Sequence, residues 1–442
     1  MGPSNANGSV MAAASPTRNW LQAASRTGTV SQGENLPWPL APGSSRLALP
    51  AMSDLAIAVA IAGVFGTLIG SFLNVVTWRM PRNQSVVTPP SRCPVCGTGL
   101  SWWENLPVIG WLALRGHCRH CDTAIHPRYL LMELAVGALT AGVVLLCLDP
   151  VAVPGVLGHG PWQGAPWLMK SGWPGWLVPA LSASALLTLV WYLLVASIID
   201  LEHTIIPDEL SKGMQLIAPV LAVCTYNCAI GTFPIDWLVR INEIGHATPT
   251  PGVFSLWLVG IVGGAALLLW LSEACLRLVY ERYMAPNEPW TPDDTRGVVV
   301  GVRWFQTVIA LWTVLTLIVA WSLPGVAGVI LAMQLALAVF GMLAGWWSLY
   351  LVGLIGTVAF RRNAMGFGDV KLLAPLGAFL GPFGVLYALA FASVLGSVIG
   401  IVLLALRRTV QIPFGPYLAL GAIAAMALAP AVHARLLAPL LN

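Results

Sequence analysis

Two aspartates lie at the ends of long apolar segments, where a carboxylate is least expected. Asp200 ends the uncharged run 171–199, and Asp369 follows Gly366-Phe367-Gly368 at the start of another apolar run. A charged side chain beside hydrocarbon is energetically costly, so an ionisable residue in such a place indicates a functional site. Because both aspartates adjoin helix-breaking residues, they predict a carboxylate pair built between helices.

Structural roles are the alternative for these carboxylates. Asp369 could cap the helix that follows it, and Asp208, directly after Pro207, stands where the N-cap of the next helix is expected. Asp200 has no comparable role, because it ends a helix whose C-terminal dipole disfavours a carboxylate. We therefore favour catalysis for Asp200 and Asp369, with one carboxyl protonated and the other acting as a base. The pair would titrate as a unit, which leaves the two roles unassigned.

Two CxxC pairs form the second motif with a chemical meaning. Cys93 and Cys96 make the first pair, and Cys118 and Cys121 make the second, with twenty-one residues between the pairs. Two such pairs complete a tetrahedral zinc site with no open position. The alternatives are two disulfides or four free thiols, and disulfides are disfavoured where cytoplasmic thiols stay reduced. The spacing predicts a structural zinc that folds the surrounding segment.

The composition identifies the class of protein that holds these residues. Only 9% of the residues are charged and the mean hydropathy is +0.78, whereas soluble domains are about 25% charged. Uncharged runs exceed the roughly 20 residues that cross a bilayer, and together they predict about ten transmembrane helices. The predicted fold is an all-α polytopic membrane protein with a small zinc-binding cytoplasmic loop domain. The runs are 55–78, 129–148, 171–199, 213–235, 247–272, 304–360 with a break at Pro324-Gly325, 372–406 with a break at Gly381-Pro382, and 412–430.

Basic residues predict the orientation of the helices. Cytoplasmic loops are enriched in Lys and Arg. If the first helix runs inward, sixteen of the twenty-two basic residues lie on the cytoplasmic side. This count requires the short helix near 371–381 to cross the membrane, and it places Asp200 and Asp369 at the cytoplasmic face. The net charge of +4 then follows from membrane topology and predicts no nucleic-acid partner.

The sequence divides into four parts. Residues 1–52 are rich in small and polar residues without apolar periodicity, which predicts a disordered tail. The first transmembrane helix is predicted at 53–78 and the cytoplasmic four-cysteine zinc domain at 79–128. The remaining 129–442 are predicted to be embedded in the membrane.

These motifs together resemble the bacterial prepilin peptidases of the type IV pilus and type II secretion class, which are aspartic proteases of the GxGD kind. The resemblance extends from 66 to 420, and its motifs occur in the family's order. The matching segments are 70–76 with Arg79, both CxxC pairs, 103–107, 114–116, 128–129 with Glu133, 199–208, 366–373 and 413–417.

The resemblance implies both an activity and its site. Asp200 and Asp369 would be the catalytic pair, cleaving the basic leader peptide of a prepilin or pseudopilin at the cytoplasmic face of the bacterial inner membrane. The family also N-methylates the new N-terminus with S-adenosylmethionine, an activity associated with its zinc-bearing segment. Glu104 is the candidate contact for this methyl donor, with a solvated loop residue as the alternative. The implied partners are the pilin substrate and membrane lipid.

The chain departs from the family pattern in its long N-terminal tail and in an additional helix pair within about 240–345. Neither departure affects the motif residues. Two other classes of protein are the alternatives. A polytopic transporter would also have intramembrane carboxylates and broken helices, but it would not need the four cysteines. An assembly protein with a structural zinc module would leave Asp200 and Asp369 unexplained.

Overall fold

The computed structural model describes residues 52–148, 176–225, 292–323, 326–360, 365–406 and 413–432, with the single residues 264 and 271. The chain divides into two compact units, Met1–Leu49 and Pro50–Asn442, and every described residue lies in the second. The predicted tail up to residue 51 therefore lies outside the described residues. The same holds for most of the predicted additional helix pair before Pro292.

The described part of the chain is built from α-helices. They are α1 (Met52–Arg79), α2 (Ile109–Ala113), α3 (Arg128–Leu148), α4 (Leu177–His203), α5 (Asp208–Cys224), α6 (Pro292–Ser322), α7 (Val326–Phe360), α8 (Phe367–Ala405) and α9 (Gly415–Val432). A 3₁₀ turn, Met80–Arg82, follows α1. Two isolated β-bridges, Arg92 with Gly99 and His117 with Ala124, occur within the segment that connects α1 to α3. The described residues form no β-strand.

Six of these helices are long and apolar enough to cross a membrane. The six segments are Asp54–Arg82, Arg128–Leu148, Leu177–His203, Gly297–Ser322, Leu331–Phe360 and Phe367–Ala405, and Gly415–Leu428 is apolar but shorter. The outer surface of α1 is apolar, because the side chains of Ile61, Val64 and Phe65 are each more than half exposed. A helix face of this kind is stable against hydrocarbon rather than water. The prediction of an all-α polytopic membrane protein is confirmed for the described residues.

Helix α8 consists of two helices joined at a sharp kink. Gly381 has φ 67° and ψ 175°, and Pro382 follows it. Glycine adopts this backbone conformation readily, while a side chain would make it strained. The break predicted at Gly381-Pro382 is thus confirmed, and it divides α8 into a first part ending at Leu380 and a second part starting at Pro382.

The chain reverses direction at this kink. A straight helix would separate Asp369 from Gly396 by about 40 Å. Gly396 instead lies against Tyr417, close to the start of α9, and Asp369 is within electrostatic reach of Asp200, which binds the first residue of α9. Both ends of α8 are therefore at the same end of the bundle, and its two parts run in opposite directions, as the predicted topology requires.

Pairs of glycines spaced four residues apart bring neighbouring helices into backbone contact. A Cβ atom added to Gly70 of α1 would lie 2.8 Å from the Cα atom of Glu133 on α3. A Cβ atom on Gly341 of α7 would lie 1.9 Å from the carbonyl oxygen of Gly377 on α8. Small residues at this spacing let two helix backbones approach closely. Such packing matters in a bilayer, because lipid is as apolar as the helix surfaces and the hydrophobic effect does not drive helices together there.

Two of the apolar cores meet at the C-terminal half of α4. The larger core is formed by side chains from all six helices α4 through α9, and it includes the fully buried Phe305, Trp346 and Phe379. The smaller core packs α1 and α3 against Val195 and Ile199 of α4. The last turns of α4 are therefore held from both sides, which fixes the position of the residue that follows Ile199.

Candidate active site

Asp200 lies in the last turn of α4 and is only 6% exposed. Its Oδ2 atom accepts a hydrogen bond of 2.9 Å from the backbone N–H of Gly415, the first residue of α9. The N-terminus of a helix carries free N–H groups and a partial positive charge. Helix α9 thus provides the favourable contact for a carboxylate that the C-terminus of α4 does not.

Glycine is required at position 415 by this contact. A Cβ atom added to Gly415 would lie 2.6 Å from Oδ2 and 3.2 Å from Cγ of Asp200. The sequence identified Asp200, but it gave 413–417 only as a segment of the resemblance. The signal available in the sequence was a glycine beside Pro413 and Pro416 at the start of an apolar helix.

Asp369 lies in the first turn of α8, half-buried, with its backbone N–H bonded to the carbonyl of Gly366 at 3.2 Å. Gly366 occupies the N-cap position, and among the described residues no side chain caps this helix. The alternative that Asp369 caps α8 is therefore wrong. Its carboxyl group is left available and is close enough to Asp200 for the two groups to interact electrostatically.

The other residues of the GxGD segment position Asp369. The ring of Phe367 packs edge-on against Trp346, with 5.4 Å between centroids. Gly368 lies against Ile206 in the turn between α4 and α5, and an added Cβ atom would be 3.3 Å from the Cβ atom of Ile206. The small residue thus lets the start of α8 approach the end of α4, which brings the two aspartates within electrostatic reach of each other.

Asp208 has a different role from the one predicted. Pro207 occupies the N-cap of α5, without a side-chain cap, and Asp208 is the first helical residue. The Asp208 carboxylate instead forms ion pairs with Lys212, at 2.8 Å, and with Lys371. Lys371 is 8% exposed and lies two residues after Asp369. The capping prediction for Asp208 is wrong, because the carboxylate compensates a nearly buried cation on α8.

A further ion pair joins the start of α3 to the end of α4. Arg128, the first residue of α3, pairs with Glu202, which lies two residues after Asp200. Both side chains are one-third exposed. In the sequence Arg128 was only part of the resemblance, and its contact with Glu202 was not predicted because the two residues are far apart in the chain.

The four predicted zinc ligands form two matched turns in the segment between α1 and α3. The N–H of Cys93 bonds to the carbonyl of Thr98 at 2.9 Å, and the N–H of Cys118 bonds to that of Thr123 at 2.8 Å. Gly97 and Asp122 take equivalent positive φ angles of 72° and 55°. Each CxxC pair is thereby folded into a tight turn that points both sulfur atoms to one side.

The sulfur atoms of the four cysteines meet at one point. Sγ of Cys93 is 3.8 Å from that of Cys121, Sγ of Cys96 is 4.0 Å from that of Cys118, and all four lie within 4.8 Å of one another. Tetrahedral zinc with Zn–S bonds of about 2.3 Å separates its sulfur ligands by about 3.8 Å. The cluster could therefore hold a metal ion, and in this structure the four cysteines are free thiols rather than disulfides.

The environment of Cys96 favours a metal-binding thiolate. Its side chain contacts the hydroxyl of Thr98 at 3.4 Å. This contact, together with the Thr98 backbone, lowers the pKa of the Cys96 thiol to about 6. Since zinc binds the thiolate, this lowered pKa at Cys96 suits the predicted metal.

Glu104 is not a solvated loop residue. Its side chain is 8% exposed, and Oε2 accepts a hydrogen bond from the backbone N–H of Ser101 at 2.7 Å. That N–H holds the pKa of the Glu104 carboxyl below its usual range. Its Oε1 atom is buried and has no hydrogen-bond partner among the described residues. The alternative that Glu104 is a solvated loop residue is thus wrong.

Comparison with known proteins shows that two segments of this chain each match a protein-family model. Residues 64–147 match the family model of the Bacterial Peptidase A24 N-terminal domain, and residues 306–401 match the Type IV leader peptidase family. The first range contains the four cysteines, and the second contains Asp369. No solved structure is significantly similar to the chain.

Three relatives show the extent of the similarity. A prepilin leader peptidase/N-methyltransferase of Myxococcus xanthus is 40% identical over 159 residues, which are 36% of this chain and 38% of the relative. One of the same name from Stutzerimonas stutzeri is 28% identical over 82% of this chain and 88% of its own length. The type 4 prepilin-like proteins leader peptide-processing enzyme of Escherichia coli is 26% identical over 82% and 91%, respectively. The chain thus matches both family models in order, and its resemblance to the prepilin leader peptidases is confirmed over most of its length.

Proposed function

We propose that this protein cleaves the basic leader peptide from type IV prepilins or pseudopilins and then N-methylates the new N-terminus. The relatives that share more than four-fifths of its length are named for these two activities or for leader-peptide processing. The observation that carries the peptidase proposal is that Asp200, where α4 ends, and Asp369, where α8 begins, lie within electrostatic reach of each other.

In the proposed mechanism the two carboxyl groups share one proton, because like charges at one site do not both ionise. The ionised aspartate takes a proton from a water molecule as that water attacks the scissile carbonyl carbon. The protonated aspartate polarises the carbonyl oxygen and later gives a proton to the leaving amine. The hydrogen bond from Gly415 and the packing of Phe367 keep the two groups oriented for these steps.

The position of the pair suits a substrate that is half in the membrane. Both aspartates lie at helix ends, where an apolar helix can remain in the bilayer while the bond before it enters the site. The basic residues predicted for the surrounding loops support the proposal that this end of the bundle faces the cytoplasm at the bacterial inner membrane. The basic leader of a prepilin would remain on that side, and lipid would contact the apolar outer surfaces of α1 and α8.

The cysteine-containing segment is assigned a structural role. Cys93, Cys96, Cys118 and Cys121 would hold one zinc ion with no open position, which stabilises a module of residues 79–128 without entering the chemistry. The peptidase part would then comprise residues 129–442. A methyl donor, S-adenosylmethionine, would supply the methyl group for the second activity when bound.

The two alternative functions are less well supported. A transporter would not require a four-sulfur cluster, and an assembly protein would not require two aspartates held together by three separate helices. None of the relatives described above is named as a transporter or an assembly protein.

The test of the peptidase proposal replaces each aspartate by its amide. Asp200→Asn and Asp369→Asn should each abolish cleavage of a full-length prepilin by the purified protein, because an amide keeps the shape but loses the titratable proton. Glu209→Gln, an exposed carboxylate at the same end of the bundle, serves as the matched control and should cleave normally. Near-normal turnover by either aspartate variant would disprove the mechanism.

A further inference from the structure

Helix α8 contains a proline close to the proposed catalytic aspartate Asp369. Pro375 lies inside the helix. In a regular α-helix the N–H of residue 375 would donate to the carbonyl oxygen of Lys371, but proline has no N–H and its ring also pushes against that carbonyl. The helix therefore lacks a backbone hydrogen bond directly behind the turn that carries Asp369.

The missing donor comes from a neighbouring helix. Nε2 of Gln215 on α5 donates a hydrogen bond of 3.2 Å to the carbonyl oxygen of Lys371. Gln215 is only 1% exposed, and a carbonyl buried at such a place without a donor would cost free energy. A side-chain amide on α5 thus takes the place of the backbone N–H that Pro375 lacks.

The side chain of the same lysine is held by the same helix. Nζ of Lys371 pairs with the carboxylate of Asp208, the first residue of α5. Asp208 and Gln215 are about two helical turns apart, so both lie on one face of α5. Because this face holds Lys371 by its backbone and by its side chain, the lysine has little freedom to rotate or slide relative to α5.

Helix α6 encloses the start of α8 as well. A Cβ atom added to Gly301 of α6 would lie 2.9 Å from Cε of Lys371 and 2.8 Å from Cε1 of Phe367. Phe367 and Lys371 are one turn apart on α8, with Asp369 between them. Since no side chain caps α8 among the described residues and helix ends fray unless they are held, the place of Asp369 depends on these flanking contacts.

We propose that Gln215 is a positioning residue of the peptidase reaction, which fixes the first turn of α8 by supplying the hydrogen bond that Pro375 cannot. Through Lys371 it holds Asp369 at the distance and orientation that the reaction with Asp200 requires. Gln215 is buried between helices and acts only through α8, so it should affect the rate of the chemical step rather than the binding of substrate. This inference rests on the proposed peptidase function.

The test restores the missing donor from within α8. Gln215→Met keeps the length of the side chain but removes its N–H groups. For cleavage of full-length prepilin, kcat should fall about tenfold with KM nearly unchanged, a fraction of the roughly 10²-fold loss that a 1 Å misplacement can cause. Pro375→Ala provides a backbone N–H for the Lys371 carbonyl, so in that background Gln215→Met should lower kcat less than about twofold.

Gln334→Met is the matched control. Gln334 on α7 is as buried as Gln215, and its amide has no hydrogen-bond partner among the described residues. Its replacement should leave kcat at the wild-type value. All variants are compared as full-length protein in detergent, with folding checked by size-exclusion chromatography and thermal melting.

Normal kcat in a folded Gln215→Met variant, or the same loss of kcat in both backgrounds, would overturn the role of Gln215 but not the peptidase function. Pro375→Ala alone should still cleave prepilin, because it adds a donor, and its inactivity would also overturn the inference. If Gln215→Met alone does not fold, the double variant decides. A folded and active double variant supports the role of Gln215, and an unfolded or inactive one overturns it. A wild type that does not cleave prepilin would instead remove the proposed function itself.

Discussion

Gly415 offers the sharpest test of how the structure positions Asp200. A methyl group at this residue would lie 2.6 Å from the Asp200 Oδ2 atom, whereas ordinary contact begins at 3.4 Å. In Gly415→Ala the carboxylate must therefore shift by about 0.8 Å, and misplacement of a reacting group by about 1 Å can lower the rate by about 10²-fold. We expect kcat/KM for cleavage to fall by about this factor, which corresponds to about 2.7 kcal/mol of transition-state stabilisation.

The loss should come from geometry rather than unfolding. Alanine has a higher helix propensity than glycine, so the start of α9 should not be weakened. Gly396→Ala is the matched control in the same pair of helices, because its Cβ atom would lie 3.8 Å from the ring of Tyr417. The assay is cleavage of full-length prepilin in detergent, quantified by gel and mass spectrometry, with zinc content as the folding check. Wild-type kcat/KM in a folded Gly415→Ala variant would refute the role given to this contact.

Three further predictions test the rest of the structure. The wild type should contain about one zinc per chain, and Cys93→Ser should lose most of it, as measured by elemental analysis; full zinc in the variant would exclude the four-sulfur site. Asp208→Asn should lower the thermal midpoint more than Lys212→Gln does, by an amount equivalent to about 1–3 kcal/mol, because it leaves the nearly buried Lys371 without its carboxylate; equal midpoints would show that this pair contributes little. Gly341→Ala should fail to yield folded protein, since its Cβ atom would overlap a backbone carbonyl of α8, and normal yield and stability would contradict the helix packing.

Several features followed from the sequence because their causes are local. The length of the apolar runs predicted the membrane helices, since about 20 apolar residues suffice to cross a bilayer. The Gly381-Pro382 break followed from two residues that end a helix. The CxxC spacing predicted the sulfur cluster, because each pair forms its turn within a few residues. Asp200 and Asp369 were predicted as site residues for a similar reason, since a carboxylate at the end of an apolar run is costly whatever the rest of the fold.

The sequence did not predict the partners of these residues. It assigned Asp208 to a helix cap, but the carboxylate pairs with Lys371, which lies 163 residues away. It allowed Glu104 to be a solvated loop residue, but the contact with Gly110 and the hydrogen bond from Ser101 bury it. In both cases the sequence showed only that a carboxylate is present. The packing of the surrounding chain decided which groups that carboxylate contacts.

The sequence by itself thus determined which residues can do chemistry, and the tertiary structure decided how they are placed. Asp200 and the N–H of Gly415 are 215 residues apart in the chain and 2.9 Å apart in the fold. That distance depends on the reversal of α8 at Gly381 and on the approach of its first turn, through Gly368, to Ile206. No spacing within the sequence encodes such a contact, because it results from helices packing side by side, and the free energy of that packing depends on all the surfaces that meet.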